Sequence, residues 1–350
     1  MKTDVMRKNI ISIIIVSITV VLSFPNAAFS FDKTKYKIRF AHGLPPGHRI
    51  AKQINEFSEM LNQYSDGRLQ LAVYPGGQLY HDKYIIAAVR SGACEMGALY
   101  PFNLATIEPN FRFFGIPMAI NTRKELKYVL EGDIFKKLSE QLKVKGIQPI
   151  GLVVGFISEE TGVISKTSVH LPSDLNRKKI RTTCTEQAVY FDRYCNASSA
   201  YVSGAELYMA LQRGTIDAVG GSLTHQVSRK LYEVAPYITM LPIGTNPCFF
   251  IMNKKYYDNL PEDLKNIISI VSDKMLKKSY ILSENIYDAY LSKAKEVSKE
   301  VYILSEEEFS LWNNNIYDYW KTVTRNQPEL LEIIMEIKQY RGRTFRVNDE

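Results

Sequence analysis

The N-terminal third of the chain alternates between two hydrophobic periods, and this alternation restricts the possible folds more than any other feature. Segments 37–42 and 69–73 alternate apolar and polar residues, and 94–99 has the length of a strand, so all three are predicted strands. Between them, 50–61 carries apolar residues at helical spacing, and 81–90 is a second predicted helix. A strand–helix–strand–helix–strand order requires right-handed crossovers. It therefore predicts an open, mostly parallel sheet in an α/β fold.

The remainder of the chain continues this pattern less regularly. The predicted elements are helices at 124–144 (in two pieces), 205–213, 306–323 and 328–340, and strands at 147–155, 163–164, 179–183, 216–219, 247–253 and 301–304. The most unusual segment is 261–300, which contains no glycine and no proline after Pro261. As an unbroken helix it would be about 60 Å long, which is enough to brace two domains together.

The N-terminus has the order of a secretory signal peptide. Lys2, Arg7 and Lys8 precede an apolar run at 10–24, and small residues then provide a cleavage site before Phe31. We therefore predict a signal peptide at 1–30 and a protein exported to the periplasm. The alternative is an uncleaved membrane anchor, although the run is shorter than the ~20 apolar residues that a membrane span needs.

The charge of the chain bears on its partners. The formal net charge is +7, of which the signal peptide contributes +2. No run of five like charges occurs, so no nucleic-acid partner is predicted. A mild positive field instead favours an acidic ligand.

The four cysteines, Cys94, Cys184, Cys195 and Cys248, are predicted to be buried free thiols. Cys184 and Cys195 flank a predicted helix and would lie roughly 16 Å apart, whereas a disulfide needs Cα atoms within about 7 Å. No C-x-x-C pair occurs, so neither a structural zinc site nor a cofactor is predicted.

The usual sequence signatures of a reaction centre are missing. The chain has no G-x-S-x-G, no H-E-x-x-H and no P-loop, so no catalytic residue is predicted. Ser222 and His225 could form a nucleophile and base in a secreted hydrolase, but a glycine turn leading into a helix is the simpler interpretation. His42 and His48 could both face a cleft, but a metal site there would need further ligands.

Arg181 is the side chain that most favours a binding function. It stands in the short predicted strand KKIRTT, where its charge needs a partner if the strand is buried in a sheet. That partner is either an internal carboxylate or the carboxylate of a ligand. A guanidinium presents two parallel N–H donors that match a carboxylate.

Several segments together resemble the solute-binding subunit of TRAP transporters, the tripartite ATP-independent periplasmic systems, in the DctP family. The resemblance covers residues 37 to 340 and includes a strand with a P-G-G-Q-L turn, a helix-to-strand step and a K-I-R motif. The matching segments are 67–79, 89–96, 172–181, 206–217, 231–234 and 253–261.

The resemblance implies a two-domain periplasmic binding protein fold (α/β, type II-like) with hinge strands and a long bracing helix. We expect domain I at 31–158 plus 247–285 and domain II at 159–246 plus 286–350. A small organic acid would bind between them, with Arg181 as the carboxylate-binding arginine, and the TRAP membrane subunits would be the protein partners. A sensor receptor on the same fold is the alternative.

This sequence departs from the family pattern in two places. Many relatives have a second arginine near 159–162, where this chain has none, and many have a longer side chain where this chain has Gly221. We therefore expect one arginine anchor and a roomier pocket. A second negative group would have no obvious partner, so a monocarboxylate or a bulkier organic acid is predicted over a compact dicarboxylate.

Other binding residues are predicted from the rule that ligands lie beyond the carboxyl ends of strands in open α/β sheets. For the aromatic residues among them, ordinary core packing is an alternative. The predicted set is Thr183, Tyr80, Phe102, Asn103, Tyr201, Gly221 and Asn246.

Overall fold

The computed structural model describes residues 34–204 and 206–347, with side chains as far as residue 342. The predicted signal peptide at 1–30 lies outside the described residues. In the part that is described, every helix is too short or too polar to cross a bilayer.

The first sheet contains five strands in the order β2-β1-β3-β10-β4. Its strands are β1 (Tyr36–Ala41), β2 (Leu69–Tyr74), β3 (Met96–Leu99), β4 (Ile147–Phe156) and β10 (Asn246–Asn253). β1 pairs in parallel with β2 and β3, as the crossover pattern predicts. β10 returns from the second sheet and is antiparallel to both of its neighbours, so this sheet is mixed, although the other four strands run in the same direction.

The second sheet has six strands in the order β11-β9-β5-β8-β6-β7. Its strands are β5 (Thr161–Ser165), β6 (Lys179–Arg181), β7 (Ser198–Ala200), β8 (Ala218–Ser222), β9 (Tyr237–Met240) and β11 (Glu300–Ile303). The sequence did not indicate β7 or β9. Both are short, and sheet pairing stabilises them more than their own composition does.

Helices cover both sheets. They are α1 (Arg49–Tyr64), α2 (Asp82–Ser91), α3 (Pro101–Leu104), α4 (Arg123–Glu131), α5 (Asp133–Val144), α6 (Thr185–Tyr194), α7 (Leu207–Gln212), α8 (Leu223–Ser228), α9 (Lys254–Asp258), α10 (Glu262–Val297), α11 (Glu306–Trp312), α12 (Ile316–Val323) and α13 (Pro328–Val347). The predicted break in 124–144 falls at Gly132. The predicted helix at 306–323 is two helices, separated at Asn315, whose φ of 60° lies in the left-handed region.

Two segments connect the sheets side by side. The first runs from β4 to β5 through 157–160, and the second from β9 to β10 through 241–245. Thr161 joins them, because its hydroxyl donates to the carbonyl oxygen of Leu241 at 3.0 Å and its own carbonyl accepts from the Leu241 N–H at 3.0 Å. These hydrogen bonds hold the two connections in register, as expected for a paired hinge.

The helix α10 contacts the cores of both sheets. Its N-terminal half buries Leu264, Ile268 and Val271 in the core of the first sheet, and Ser279 accepts a hydrogen bond from the N–H of Val154 at 2.9 Å. Near its C-terminus, Ala294 is buried in the core of the second sheet. At 36 residues it extends about 54 Å, so the predicted bracing helix is present.

The predicted domain boundaries stay a prediction. The last helix, α13, shows why a division by sequence alone is difficult. It lies in the segment assigned to domain II, yet Glu336 accepts a hydrogen bond from the hydroxyl of Tyr128 in α4 at 2.9 Å. Arg341 also pairs with Glu125 in α4, so α13 packs on a helix assigned to domain I.

Candidate functional site

Arg181 ends strand β6 and is only 7% exposed. Its Nε donates to the carbonyl oxygen of Val202 at 3.0 Å, and its Nη1 donates to that of Gly220 at 3.3 Å. In residues 34–204 and 206–347, no acidic side chain forms an ion pair with it. Burial lowers the pKa of the guanidinium. The fold therefore holds a buried cation by carbonyl dipoles alone.

A second arginine lies close to this cation. Arg229 follows α8 and is exposed. Its Nη1 donates to the carbonyl oxygen of Gly204 at 2.6 Å. Its charge also lowers the pKa of Arg181 beyond the effect of burial, which is the larger cause. The two arginines therefore face the same short loop after β7.

A third arginine approaches from the first sheet. Arg49, at the start of α1, donates to the carbonyl oxygen of Gly155 at 2.6 Å and lies 4.9 Å above the ring of Phe156. It also pairs with the buried Glu160, whose carboxylate oxygen lies 3.5 Å away. Arg49 thus differs from Arg181 in having a carboxylate partner within the protein.

The imidazole of His225 lies among these arginines. Burial is the largest cause of a lowered pKa of His225, the charges of Arg181, Arg229 and Arg49 act in the same direction, and together they bring it to about 3. Its ring stacks on Phe156 with a centroid distance of 5.6 Å. The side chain is therefore neutral at physiological pH and adds no positive charge to the group.

Ser222 and His225 do contact each other, at 3.1 Å between Oγ and Nδ1. The same hydroxyl accepts a hydrogen bond from the backbone N–H of His225 at 3.4 Å, so Ser222 caps the N-terminus of α8. An imidazole with so low a pKa is a weak general base near neutral pH. The geometry favours the interpretation of this segment as a turn that leads into a helix.

The first sheet contributes neutral and acidic polar groups near its carboxyl edge. His42 is 1% exposed, and its Nε2 is buried without a hydrogen-bond partner among the described residues. Burial lowers the pKa of His42 to about 4. The nearby carboxyl of Asp82 lies against Gly43, where a Cβ would come within 2.0 Å of it. Burial raises the pKa of Asp82.

Of the predicted aromatic residues, Tyr201 lies beside Arg181. It is 82% exposed, at the start of the loop after β7, and its hydroxyl is close enough to raise the pKa of Arg181 against the effect of burial. Phe102 is 57% exposed and stacks on Tyr100 at 6.1 Å between centroids. Asn103 accepts a hydrogen bond from the backbone N–H of Tyr100 at 3.2 Å, so its amide is used to cap α3.

The other predicted residues have more local roles. The hydroxyl of Thr183 donates to Gln187 at 2.7 Å. Asn246 is half-buried where β10 begins, opposite Phe156. The hydroxyl of Tyr80 donates to the carbonyl oxygen of Ala93 at 3.4 Å, and no contact within the described chain joins it to Arg181.

Gly221 corrects one expectation. A side chain there would not open into an empty pocket, because a Cβ would meet Ile164 at 3.1 Å, Val219 at 3.3 Å and the His225 Nδ1 at 3.4 Å. The imidazole of His225 occupies the space beside this glycine. The expected roomier pocket is therefore not present on this side of β8.

Sequence reasoning missed Arg49 and Arg229 and made little use of His225. Each is a single polar residue in a helix or directly after one, and such residues are usually solvated. A signal did exist for Arg49, because it follows the G-L-P-P-G turn that closes the predicted strand at 37–42. Nothing in the local pattern around Arg229 separates it from Lys230 beside it.

Comparison with known proteins agrees with this architecture. Residues 40–327 match the DctP family, described as bacterial extracellular solute-binding protein, family 7. A C4-dicarboxylate-binding periplasmic protein, DctP, of Rhodobacter capsulatus is 27% identical over 285 residues, which cover 79% of this chain and 82% of the relative.

Solved structures give the same result for the fold. A TRAP periplasmic solute-binding protein of Ochrobactrum anthropi, with its C-terminus bound in the ligand-binding pocket, superposes with a TM-score of 0.81 and 22% identity, covering 89% of this chain and 98% of that one. The sugar acid binding protein DctPAm of Advenella mimigardefordensis, in complex with galactonate, has a TM-score of 0.75 and 23% identity, covering 87% and 99%.

Both structures confirm the predicted two-domain α/β fold, and the family match extends over most of the chain. The chain belongs to the DctP family of bacterial extracellular solute-binding proteins, the solute receptors of TRAP transporters.

Proposed function

We propose that this protein is exported to the periplasm through its signal peptide, captures a small organic acid at Arg181 and delivers it to TRAP membrane subunits without chemical change. The observation that carries the proposal is the buried guanidinium of Arg181, which has two carbonyl partners and no acidic partner in the described chain. An unpaired buried charge is costly. A ligand carboxylate would supply the missing counter-charge.

The chemistry of the site favours a carboxylate. The guanidinium is planar and offers paired N–H donors in the geometry that a carboxylate accepts. Val202 and Gly220 fix it through two of its nitrogens, so its orientation is set before a ligand arrives. Pre-organisation of this kind reduces the entropy lost on binding.

The relatives support the ligand class. The Rhodobacter capsulatus protein is named for C4-dicarboxylates, and the Advenella mimigardefordensis protein holds galactonate. Both ligands are small organic acids. We infer that this chain also binds a small organic acid, and that the carboxylate of this acid binds at Arg181.

The hinge and brace suggest how binding is signalled. The two connections, 157–160 and 241–245, are short and paired, and such connections are typical of hinge closure around a ligand. Closure would exclude water from Arg181 and strengthen the ion pair. Open and closed forms would then present different surfaces to the membrane subunits.

The experiment uses the mature protein, from Phe31 onwards, and a panel of organic acids. Thermal unfolding should show a rise in midpoint with at least one acid, and calorimetry should give its affinity. Arg181→Gln should weaken binding of that acid by about a hundredfold or more, because a buried charged hydrogen-bonded pair is lost.

Two controls separate binding from folding. Arg193→Gln, an exposed arginine on α6, should leave the affinity unchanged, and Arg181→Lys should retain part of it. Mass spectrometry should recover the bound acid chemically unchanged. The proposal fails if no acid raises the midpoint, if Arg181→Gln binds as tightly as the wild type, or if the acid is converted.

A further inference from the structure

The loop that follows β7 is held by two arginines at neighbouring carbonyls. Arg181 donates to Val202 at 3.0 Å, and Arg229 donates to Gly204 at 2.6 Å. Because consecutive Cα atoms are 3.8 Å apart, the two accepting carbonyls lie within about 7 Å of each other. The two guanidinium groups therefore face the same small region from β6 and from the end of α8.

Neither of these two arginines is neutralised by an acidic side chain of the described residues. Within residues 34–204 and 206–347, both lack an ion-pair partner. Arg49 is different, because Glu160 balances its charge at 3.5 Å. His225 is neutral. The site therefore carries an excess of two positive charges.

The positive charge of Arg229 affects groups on elements from both sheets. Besides Arg181, its charge lowers the pKa of His225 in α8 and of His48 at the start of α1, in each case after burial as the larger cause. Two unpaired cations near each other cost free energy in the empty protein. That cost disappears if the ligand carries two negative charges.

We propose that Arg229 binds a second acidic group of the ligand, so that the receptor selects organic acids with two anionic groups. This inference rests on the proposed function, because it takes the first carboxylate to be bound at Arg181. The sequence alone left a second acidic group without a partner, and Arg229 supplies one. The second group is a carboxylate or a phosphate, since a guanidinium binds both in the same way.

Matched pairs of acids test this. The probes are succinate with its monoamide succinamate, galactarate with galactonate, and 3-phosphoglycerate with glycerate. We expect the member with two anionic groups to bind at least about tenfold more tightly in the pair that the receptor accepts. The first two pairs test a second carboxylate, and the third tests a phosphate.

Variants then test whether Arg229 causes the preference for acids with two anionic groups. Arg229→Gln should remove the preference for the doubly charged member and leave the affinity for the singly charged member within about threefold, since the contact with Arg181 is retained. Arg229→Lys should keep part of the preference. Arg213→Gln, an exposed arginine just after α7, is the matched control and should change neither affinity.

The outcomes separate the two proposals. If the singly charged acid binds more tightly and depends on Arg181, the role of Arg229 is refuted and the receptor function stands. If Arg229→Gln weakens both members of a pair equally, Arg229 acts only through the loop or the general field, and the proposal is also refuted. If none of the six probes binds to the wild type while a singly charged acid of the wider panel does, the role of Arg229 is refuted and the receptor function stands.

Discussion

Two arginines of this protein are held in opposite ways, although both are shielded from most of the solvent and the Arg341 side chain is 18% exposed. Arg341 in α13 pairs with Glu125 through two hydrogen bonds of 2.8 and 2.9 Å, and the Glu125 side chain is 4% exposed. Arg181 in β6 is 7% exposed and is held by two carbonyl oxygens. The first arginine is neutralised within the fold, whereas the second keeps its charge available.

The difference indicates what each arginine contributes. Once a charge has been buried, a bidentate pair such as Arg341–Glu125 is costly to break. A buried guanidinium without a carboxylate contributes little to stability and is suited to binding. Burial alone does not identify a binding residue, since Arg341 is also enclosed. Within the described residues, Arg181 differs from Arg341 in having no internal counter-charge.

The largest expected effect comes from breaking the paired arginine. Glu125→Gln leaves the Arg341 cation without its counter-charge, and the free energy of unfolding should fall by about 3 kcal/mol. Arg181→Gln should leave the ligand-free protein as stable as the wild type, because no ion pair is lost. Urea unfolding of the two variants, without ligand, measures the contrast.

A surface pair provides the control for this experiment. Glu140→Gln removes the exposed partner of Lys143 in α5, whose side chains are 63% and 32% exposed. Its effect should stay below about 1 kcal/mol. A loss of stability in Arg181→Gln as large as that in Glu125→Gln would show that Arg181 is a structural residue, and the contrast between the two arginines would disappear.

The buried imidazole of His225, which lies beside Arg181, gives a second, smaller test. The pKa of His225 in the folded protein is about 3, below its ordinary value of 6.5. As the pH falls from 6.5 towards 3, the unfolded chain takes up a proton that the folded chain does not, so folding stability decreases. At about pH 5 this cost should be about 1–2 kcal/mol relative to neutral pH.

His225→Asn should remove that share of the pH dependence, although His42 and His48 also have lowered pKa values and contribute in the same direction. The measurement compares the loss of unfolding free energy between about pH 7.5 and about pH 5. His81→Asn, at an exposed position before α2, is the control. Equal losses in His225→Asn and the wild type would mean that the pKa of His225 is not lowered in the folded protein.

The fold class was predictable because periodic patterns over whole segments determine it. The parallel pairing of β1 with β2 and β3 follows from the strand–helix order at 37–99. The antiparallel return of β10 was not predictable, because its direction depends on how the chain passes between the two sheets. The split at Asn315 was also missed, since a single residue in the left-handed region produces it.

The candidate site was predictable only where one residue breaks a local rule. Arg181 interrupts a buried strand with a charge, and this conflict is visible in the sequence. Arg229 and Arg49 break no local rule. Their proposed importance depends on neighbours that are distant along the chain, and the local sequence does not show these neighbours. The filled space beside Gly221 likewise depends on a side chain of α8. Residue types could suggest these roles, but only the packing of the elements brings the groups together.

The smallest expected effect comes from converting Arg181 into a paired arginine. Tyr201 is largely exposed and precedes Val202, whose carbonyl oxygen accepts a hydrogen bond from Arg181, so Tyr201→Glu places a carboxylate of the protein near Arg181 with little change in packing. This carboxylate should compete with the ligand and lower its affinity by about tenfold, as expected for loss of about 1.4 kcal/mol. The control is Tyr201→Gln, whose side chain has the shape of glutamate without the charge, and it should lower the affinity less.

Calorimetric titration at low and high salt measures the affinities of both variants, and high salt should reduce the difference between them because the new carboxylate is exposed. Equal affinities for the two variants would show that an acid at this position does not reach the guanidinium. If the glutamate weakens binding as expected, an internal acid is sufficient to make Arg181 resemble Arg341, and the missing counter-charge is then what makes it a binding residue.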